Sequence, residues 1–364
     1  MESAARVNAK ALPAASPPAE DPKALLLDYS RPALRERFLA EGTPAHWADE
    51  VFSLLYRERV LDLESCEDVP QGLRGKIRSG WSARALETVA TQRSEDGTRK
   101  LVLSCADGEL IEAVLIPEPQ RTTLCVSTQV GCALACSFCA TGYLGFKRNL
   151  SAGEIVDQVL RAREALVPGE ALTNVVFMGM GEPLLNLPAV SEAIRIMTDR
   201  KGLALAPRRI TVSTSGLVHK IGALLDTAPI NLAISLHATT DAVRDELVPL
   251  NKRFPLQVLL DALRAEPRIT SKRPALFEYT LMAGVNDSLE DARRLPQLLE
   301  GIPARLNLIP MNPHEDAPQR PPSEEVCDAF AAEVHAGGLR VTLRRNRGRD
   351  IDAACGQLAR RTPS

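Results

Sequence analysis

The sequence predicts an α/β fold, a partial (β/α)6 TIM-like barrel, preceded by a small helical N-terminal domain and a connecting β-hairpin. Six short, mostly apolar segments, TLCVST, NVVFMGM, RITVSTS, NLAISLHA, ALFEYTLM and RLNLIPMN, follow one another with amphipathic stretches between them. Strands in that alternation pair in parallel, because a parallel pair needs a crossover of roughly a dozen residues or more. Curvature of six such units closes part of a barrel, and a doubly wound sheet is the second choice. A chain of 364 residues also exceeds one hydrophobic core, so an appended unit is expected.

Composition narrows the class. Hydrophobic residues make up 45% and charged residues 25%, which suits a folded globular protein and excludes a disordered or fibrous chain. Lys plus Arg number 44 against 46 Asp plus Glu, a net charge of -2, so any nucleic-acid contact must be local. The 8 Phe, 4 Tyr and 2 Trp are too few for a surface that binds single strands by stacking successive bases. No apolar run approaches the roughly 20 residues that span a bilayer, and no membrane contact is expected. Residues 1–22, rich in Ala, Ser and Pro, read as a disordered tail; Glu2, Glu20 and Asp21 argue against a transit peptide. The expectation is a cytoplasmic, monomeric protein. In that reducing compartment, 8 cysteines at short spacings point to metal ligands or catalytic groups instead of disulfides.

In chain order, residues 23–95 form the helical accessory domain, with apolar residues every three or four positions in PALRERFLAEG and AHWADEVFSLLYRERV. Its LRGKIRSGWS segment carries Arg74, Lys76, Arg78 and Trp81, which face RNA phosphates in one reading and form a solvated helix face and a local core in the other. Residues 96–121 hold two β-rich runs around Asp107-Gly108, a hairpin linking two domains. Residues 122–350 form the barrel, with LRVTLRRN offering one more strand, and residues 351–364 a C-terminal catalytic loop and tail.

Unusual residues gather at the strand ends. Cysteines follow the first strand, Gly179-Met180-Gly181-Glu182-Pro183 the second, Ser213-Thr214-Ser215-Gly216 the third, Ser235-Leu236-His237 the fourth and Asn312-Pro313 the sixth. The carboxyl ends of parallel barrel strands share one face, where such enzymes build their sites. Cys132, Cys136 and Cys139 lie within eight residues, close enough to wrap one metal centre. A structural zinc would need a fourth ligand, Cys125 or His237. An iron-sulfur cluster held by three cysteines would leave one iron open to a small molecule.

The C-x3-C-x2-C loop with Phe138 before its last cysteine resembles the radical S-adenosylmethionine (SAM) superfamily. LCVSTQVGCALACSFCATGYLGFKRNL, MGMGEPLLN, TVSTSG, AISLHA, NLIPMNP and RGRDIDAACGQLA together resemble the RlmN/Cfr family of adenine-C methyltransferases acting on ribosomal RNA, over about residues 25 to 361. The resemblance implies a 4Fe-4S cluster ligated by Cys132, Cys136 and Cys139, and two SAM molecules per turnover. It assigns Gly181 and Glu182 to the methionine amino end of SAM, Ser213, Ser235, Leu236 and His237 to its ribose and neighbouring groups, and Asn312 to the pocket edge. Cys355 would become an S-methylcysteine, Cys125 would resolve a protein-RNA adduct through a transient Cys125-Cys355 disulfide, and Glu112 would accept a proton. A flavodoxin-type reductant would supply electrons.

The expected substrate is C2 of an adenosine in 23S rRNA, with tRNA carried as a further candidate. C8 methylation shares the machinery and is the alternative; a zinc-stabilised RNA-binding module without catalysis is more remote. RNA contacts are expected at Lys147 and Arg148, Arg208 and Arg209, Lys252 and Arg253, and above all Arg344, Arg345, Arg347 and Arg349. Cys66, Cys105 and Cys327 read as small buried hydrophobes.

Overall fold

The computed structural model describes residues 23–344 and 347–359. The 1–22 tail, Arg345 and the last five residues lie outside them. At the N-terminal side, β1 (Ala24–Leu25) pairs in parallel with β2 (Trp81–Ser82) around three helices, α1 (Arg31–Ala40), α2 (His46–Ser53) and α3 (Gln71–Gly80). Trp81 is buried and stands edge-on to Tyr29 and Phe38, with ring centroids 5.7 Å from each. The tryptophan is therefore the hub of a local core. Lys76 donates to the Glu41 carbonyl and the Thr43 hydroxyl, and Arg78 pairs with Glu64, so these cations serve neighbouring segments of the same unit.

Among the described residues the main sheet has ten strands. β3 (Leu86–Arg93), β4 (Arg99–Cys105), β5 (Leu110–Glu118) and β6 (Arg121–Cys125) run antiparallel. From β6 onward the pairing is parallel through β9 (Leu172–Phe177), β10 (Ile210–Thr214), β11 (Asn231–Ser235), β12 (Ala275–Leu281), β13 (Ala304–Pro310) and β14 (Val341–Leu343). A small antiparallel pair, β7 (Gln129–Gly131) with β8 (Phe146–Asn149), stands apart from this sheet. All six expected barrel strands are present, and LRVTLRRN adds the seventh parallel one. The hairpin at Asp107-Gly108 also forms, with Gly108 at φ 81° in its turn. It is not a free-standing bridge between bodies: only Pro119 and Gln120 separate β5 from β6, and so tight a turn makes them sheet neighbours. Residues 86–93, within the stretch read as helical, are an edge strand, and their mostly polar side chains hide the period-two signal.

Helices cross over between the parallel strands: α5 (Ala152–Glu164), α6 (Leu187–Thr198), α7 (Val218–Thr227), α8 (Asp241–Leu247), α9 (Leu256–Ala265), α10 (Leu289–Leu298) and α11 (Glu324–Ala336), with the one-turn α4 (Ala140–Tyr143) in the cysteine loop. Their starts are written locally. Ser151 and Glu154 form a capping box on α5, while Thr240, Ser288 and Ser323 accept backbone N–H bonds at α8, α10 and α11. One continuous core runs from Leu26 and Phe38 to Phe277 and Leu358, so the N-terminal helices share it with the barrel. Polar ties fix that docking: Gly153 N–H donates to Asp28 at 2.7 Å, Arg31 reaches Asp199 at 3.0 Å, and Asp157 accepts from the backbone of Ala85 and Leu86. None of the helices among the described residues is long and apolar enough to cross a membrane.

Candidate active site

The cysteine loop projects from the neck made by β7 and β8. Gly131 sits there at φ 79°, and a Cβ on it would lie 1.8 Å from the Gly145 carbonyl oxygen, so the close pairing of these strands requires glycine. Cys132 N–H donates to that same oxygen at 2.9 Å. The loop is held on its outer side by Ser137 N–H to the Leu247 carbonyl, and by His314 Nε2 at 3.2 Å from the Phe138 carbonyl. Cys132, Cys136 and Cys139 all line one cavity of about 150 Å³ at the carboxyl ends of the strands. Burial pushes all three thiols up, Cys132 to about 12, and Cys136 is raised further by the two neighbouring thiols. Among the described residues no three His, Cys, Asp or Glu side chains converge tightly enough for a single metal ion. Three thiols lining one cavity are a donor set for a thiolate-ligated metal centre.

The strand-end motifs meet across that cavity, which Gly181, Glu182, Ser213, Ser235 and His237 also line. Gly181 adopts φ 97°, where a Cβ would strike Gln129. Glu182 is buried; its Oε1 accepts from Leu184 N–H and its Oε2 from Ser215 N–H at 2.8 Å, which fixes the carboxyl group in place. Burial raises it and these backbone bonds pull it down, with burial prevailing. His237 takes φ 57° and packs edge-on to Phe138 at 4.7 Å. Its Nδ1 accepts from Thr280 N–H at 3.0 Å, which assigns the proton to Nε2, and burial lowers the ring to about 3, so it is neutral. Leu236 is buried away from the cavity and contributes its backbone: its N–H donates to the Glu278 carbonyl.

Arg244 is the residue behind this geometry that sequence reasoning missed. It is fully buried and donates to the carbonyls of Ser215, Ser235 and Leu236 and to Asn251 Oδ1, at 2.7 to 3.0 Å. One guanidinium thus ties together the ends of β10 and β11. In DAVRDEL it reads as an ordinary surface arginine, and nothing local marks it as buried.

A second cavity, about 550 Å³, runs down the barrel bore as far as Arg121, Asn174, Thr211, Leu276 and Thr342 near the amino ends of the strands. Cys125 lines it, and Cys355 lines both cavities. Cys355 is exposed by surface area yet lies deep in the molecule, because its exposure is to these cavities. Burial pushes Cys125 up to about 12, with the nearby Cys355 raising it further, and burial raises Cys355 against the pull of Arg344. The loop carrying Cys355 is fastened by Ala140 N–H to the Gly356 carbonyl at 2.7 Å, Thr141 Oγ1 to the Leu358 carbonyl at 2.8 Å and Gln357 Nε2 to the Pro313 carbonyl. Asn312, expected at the edge of the SAM pocket, lines the second cavity and donates to the Cys355 carbonyl at 3.1 Å.

Glu112 is fully buried on β5, on the same strand face as the cavity-lining Val114 and Ile116. Its carboxylate lies 3.4 Å from Lys100 Nζ and accepts from Ala359 N–H at 2.9 Å, so it anchors the far side of the C-terminal loop. Arg344, expected on the RNA-facing rim, instead lines the bore, where Cys355, Glu278, Cys125 and Glu118 surround it. Arg347 also lines the bore and donates to the Pro117 carbonyl, while Arg349 is exposed. Lys147 pairs with Glu109, and Arg148 with Asp107 and Glu154. Arg208, Arg209, Lys252 and Arg253 are exposed. Cys105 and Cys327 are buried, and the partly buried Cys66 packs against the core.

Since the Arg344 cation favours the Cys355 thiolate, Arg344→Gln is expected to move the alkylation midpoint of Cys355 to higher pH and to slow labelling near neutrality several-fold. Iodoacetamide labelling followed by peptide mass spectrometry checks this; an unmoved midpoint would show that the guanidinium does not act on the thiol.

The fold and the cysteine cavity define a class, the radical SAM superfamily, whose family model matches residues 126–295. The chain is 46% identical over 349 residues to the "Dual-specificity RNA methyltransferase RlmN" of Anaeromyxobacter sp., covering 94% of this chain and 92% of that one. It is 45% identical over 331 residues to the protein of that name from Syntrophobacter fumaroxidans, covering 91% and 96%. The crystal structure of a radical SAM methyltransferase from Sphaerobacter thermophilus superimposes with a TM-score of 0.87 at 44% identity, covering 93% of this chain and all of that one. The chain belongs to the RlmN family. Membership in the superfamily implies a 4Fe-4S cluster and SAM, and the residues fit both: three thiols lining the cavity for the former, and the polar strand ends lining the same cavity for the latter.

Proposed function

We propose that the protein methylates C2 of an adenosine in 23S rRNA, and tRNA as a second substrate, through a methyl-cysteine intermediate and a protein-RNA adduct. The observation that carries this reading is the placement of Cys355 between the two cavities with Cys125 facing the second. Adenine C2 is electron-poor and cannot displace a methyl group from a sulfonium by a polar route. When bound, the cluster and two SAM molecules per turnover would supply a methyl group and a one-electron route to a carbon radical.

Cys132, Cys136 and Cys139 would hold the cluster, and Gly181, Glu182, Ser213, Ser235 and His237 would orient SAM. Cys355, with Arg344 favouring its thiolate, would receive the methyl group from the first cavity and present it toward the second. After hydrogen removal from that methyl group, its carbon would bond to the base, and the electron left on the ring would leave by the same one-electron route. Glu112 would take the ring proton, and Cys125 would attack the Cys355 sulfur, breaking its bond to carbon; the released carbon takes a proton to become the methyl group, and a disulfide remains. The name of the relatives, dual-specificity RNA methyltransferase, supports two RNA substrates. A flavodoxin-type electron donor, a monomeric state and a cytoplasmic location complete the proposal.

C8 methylation would use the same residues. Mass spectrometry of RNA nucleosides from a deletion strain separates the readings: loss of 2-methyladenosine is expected. Retained 2-methyladenosine would overturn the C2 assignment, and loss of 8-methyladenosine in its place would establish the alternative.

A further inference from the structure

Glu278 belongs to none of the strand-end motifs, yet it lines both cavities from the middle of β12. It is 5% exposed. Asn307 Nδ2 donates to its Oε1 at 3.1 Å, while Oε2 has no hydrogen-bond partner among the described residues. A buried carboxyl oxygen without a partner is costly, so its presence beside a thiol that handles substrate points to a partner that arrives with the ligand. The amide bond to Oε1 also sorts the two oxygens. With Oε1 taken by the Asn307 amide, Oε2 is the oxygen left to carry the proton of the acid form.

We propose that Glu278 is a catalytic acid toward the base: its Oε2–H donates a hydrogen bond to the ring nitrogen adjacent to the carbon that bonds to the Cys355 methylene. This rests on the proposed adenine chemistry and holds for either C2 or C8, since each carbon lies between ring nitrogens. A carbon radical adds to a heteroaromatic ring by pairing its electron with one π electron of a C=N bond, and the unpaired electron passes into the ring. Withdrawal of density by a donor on the adjacent nitrogen lowers that barrier, as preorganised donors do wherever charge develops. Glu278 acts in the addition step alone: one carbon radical and one C=N bond go in, one carbon–carbon bond and one ring-centred radical come out, and the shared proton stays between Oε2 and the nitrogen, so that step neither gains nor loses an electron.

The surroundings agree with a neutral acid. Burial raises Glu278, against the opposing pull of Arg344 and the Asn307 bond. The other titratable groups lining the two cavities are Cys355, Cys125, the neutral His237, Glu182 and the three thiols of the cysteine loop, with Glu118, Arg121 and Arg347 further down the bore, while β11 and β13 present Ser235 and Asn307. A carboxylate at this place would point a lone pair at a ring nitrogen; the acid turns the same contact into an attraction.

The test uses the reconstituted enzyme in a Cys125→Ala background, where the adduct accumulates, with an RNA fragment carrying the target adenosine. Methylation of Cys355 is read by mass spectrometry and adduct formation by denaturing gel. Glu278→Ala should methylate Cys355 normally and form adduct at least tenfold more slowly. Glu278→Gln, whose amide can still donate, should lose less. The adduct rate of the parent should fall toward alkaline pH as the acid ionises, and that of Glu278→Gln should not follow. Adduct at the parent rate in Glu278→Ala, or parallel loss of Cys355 methylation in both variants, overturns the assignment. If the parent itself methylates Cys355 and forms no adduct with RNA, the adenine reading falls and the role of Glu278 with it.

Discussion

Cys355→Ala is expected to lower RNA methylation by roughly three to four orders of magnitude, the scale on which enzymes lose turnover with an essential nucleophile. Its carbonyl and backbone contacts survive the substitution, because Asn312 and Ala140 bind main-chain atoms of the loop and not the thiol. The cluster thiols should stay in place and only the methyl carrier is lost. Cys125→Ala should fail differently. The methyl group still reaches Cys355 and the base is still attacked, but no thiol releases it, so a covalent protein-RNA species builds up to about one per chain. Mass spectrometry of the nuclease-digested protein distinguishes the two variants, and equal adduct yields from both would overturn the division of labour between the thiols.

Cys136→Ala carries the second large effect. In the proposed centre Cys132, Cys136 and Cys139 are the ligands, and Cys136 lies between the other two, so removing it would leave two thiols for the cluster. Anaerobically prepared wild-type protein should be brown with about four irons per chain, as a cubane cluster requires. The variant should be colourless, with iron below about one per chain and SAM cleavage lost. Iron analysis and the visible spectrum read this directly. A colourless wild-type protein carrying zinc would sink the cluster assignment.

Much of this architecture was legible in the sequence because β-α alternation has two separate periods. The runs NLAISLHA and ALFEYTLM are too short and too apolar for helices, and SAGE announces its own capping box. The cysteine spacing and the polar strand ends were equally readable, since parallel strands bring their carboxyl ends to one face whatever lies between them. What stayed hidden was burial of charge. Glu278 and Arg244 look like solvent-facing residues in a local window, and only the closed sheet turns them inward. Arg344 misled for the same reason. In LRRNRGRD it belongs to a basic run, but it follows β14, where pleat and barrel curvature point it into the bore instead of toward the rim. LETVATQR escaped because an edge strand with a wet face lacks the apolar alternation that marks a strand.

The bonds from Ala140 and Thr141 to the carbonyls of Gly356 and Leu358 have a consequence for biogenesis. Thr141 and Leu358 stand 217 positions apart, so the ribosome makes nearly the whole barrel between one half of this seam and the other. The loop that carries Cys355 therefore closes on the cysteine loop only after the barrel between them has been made, so this seam is a late event in the life of the chain.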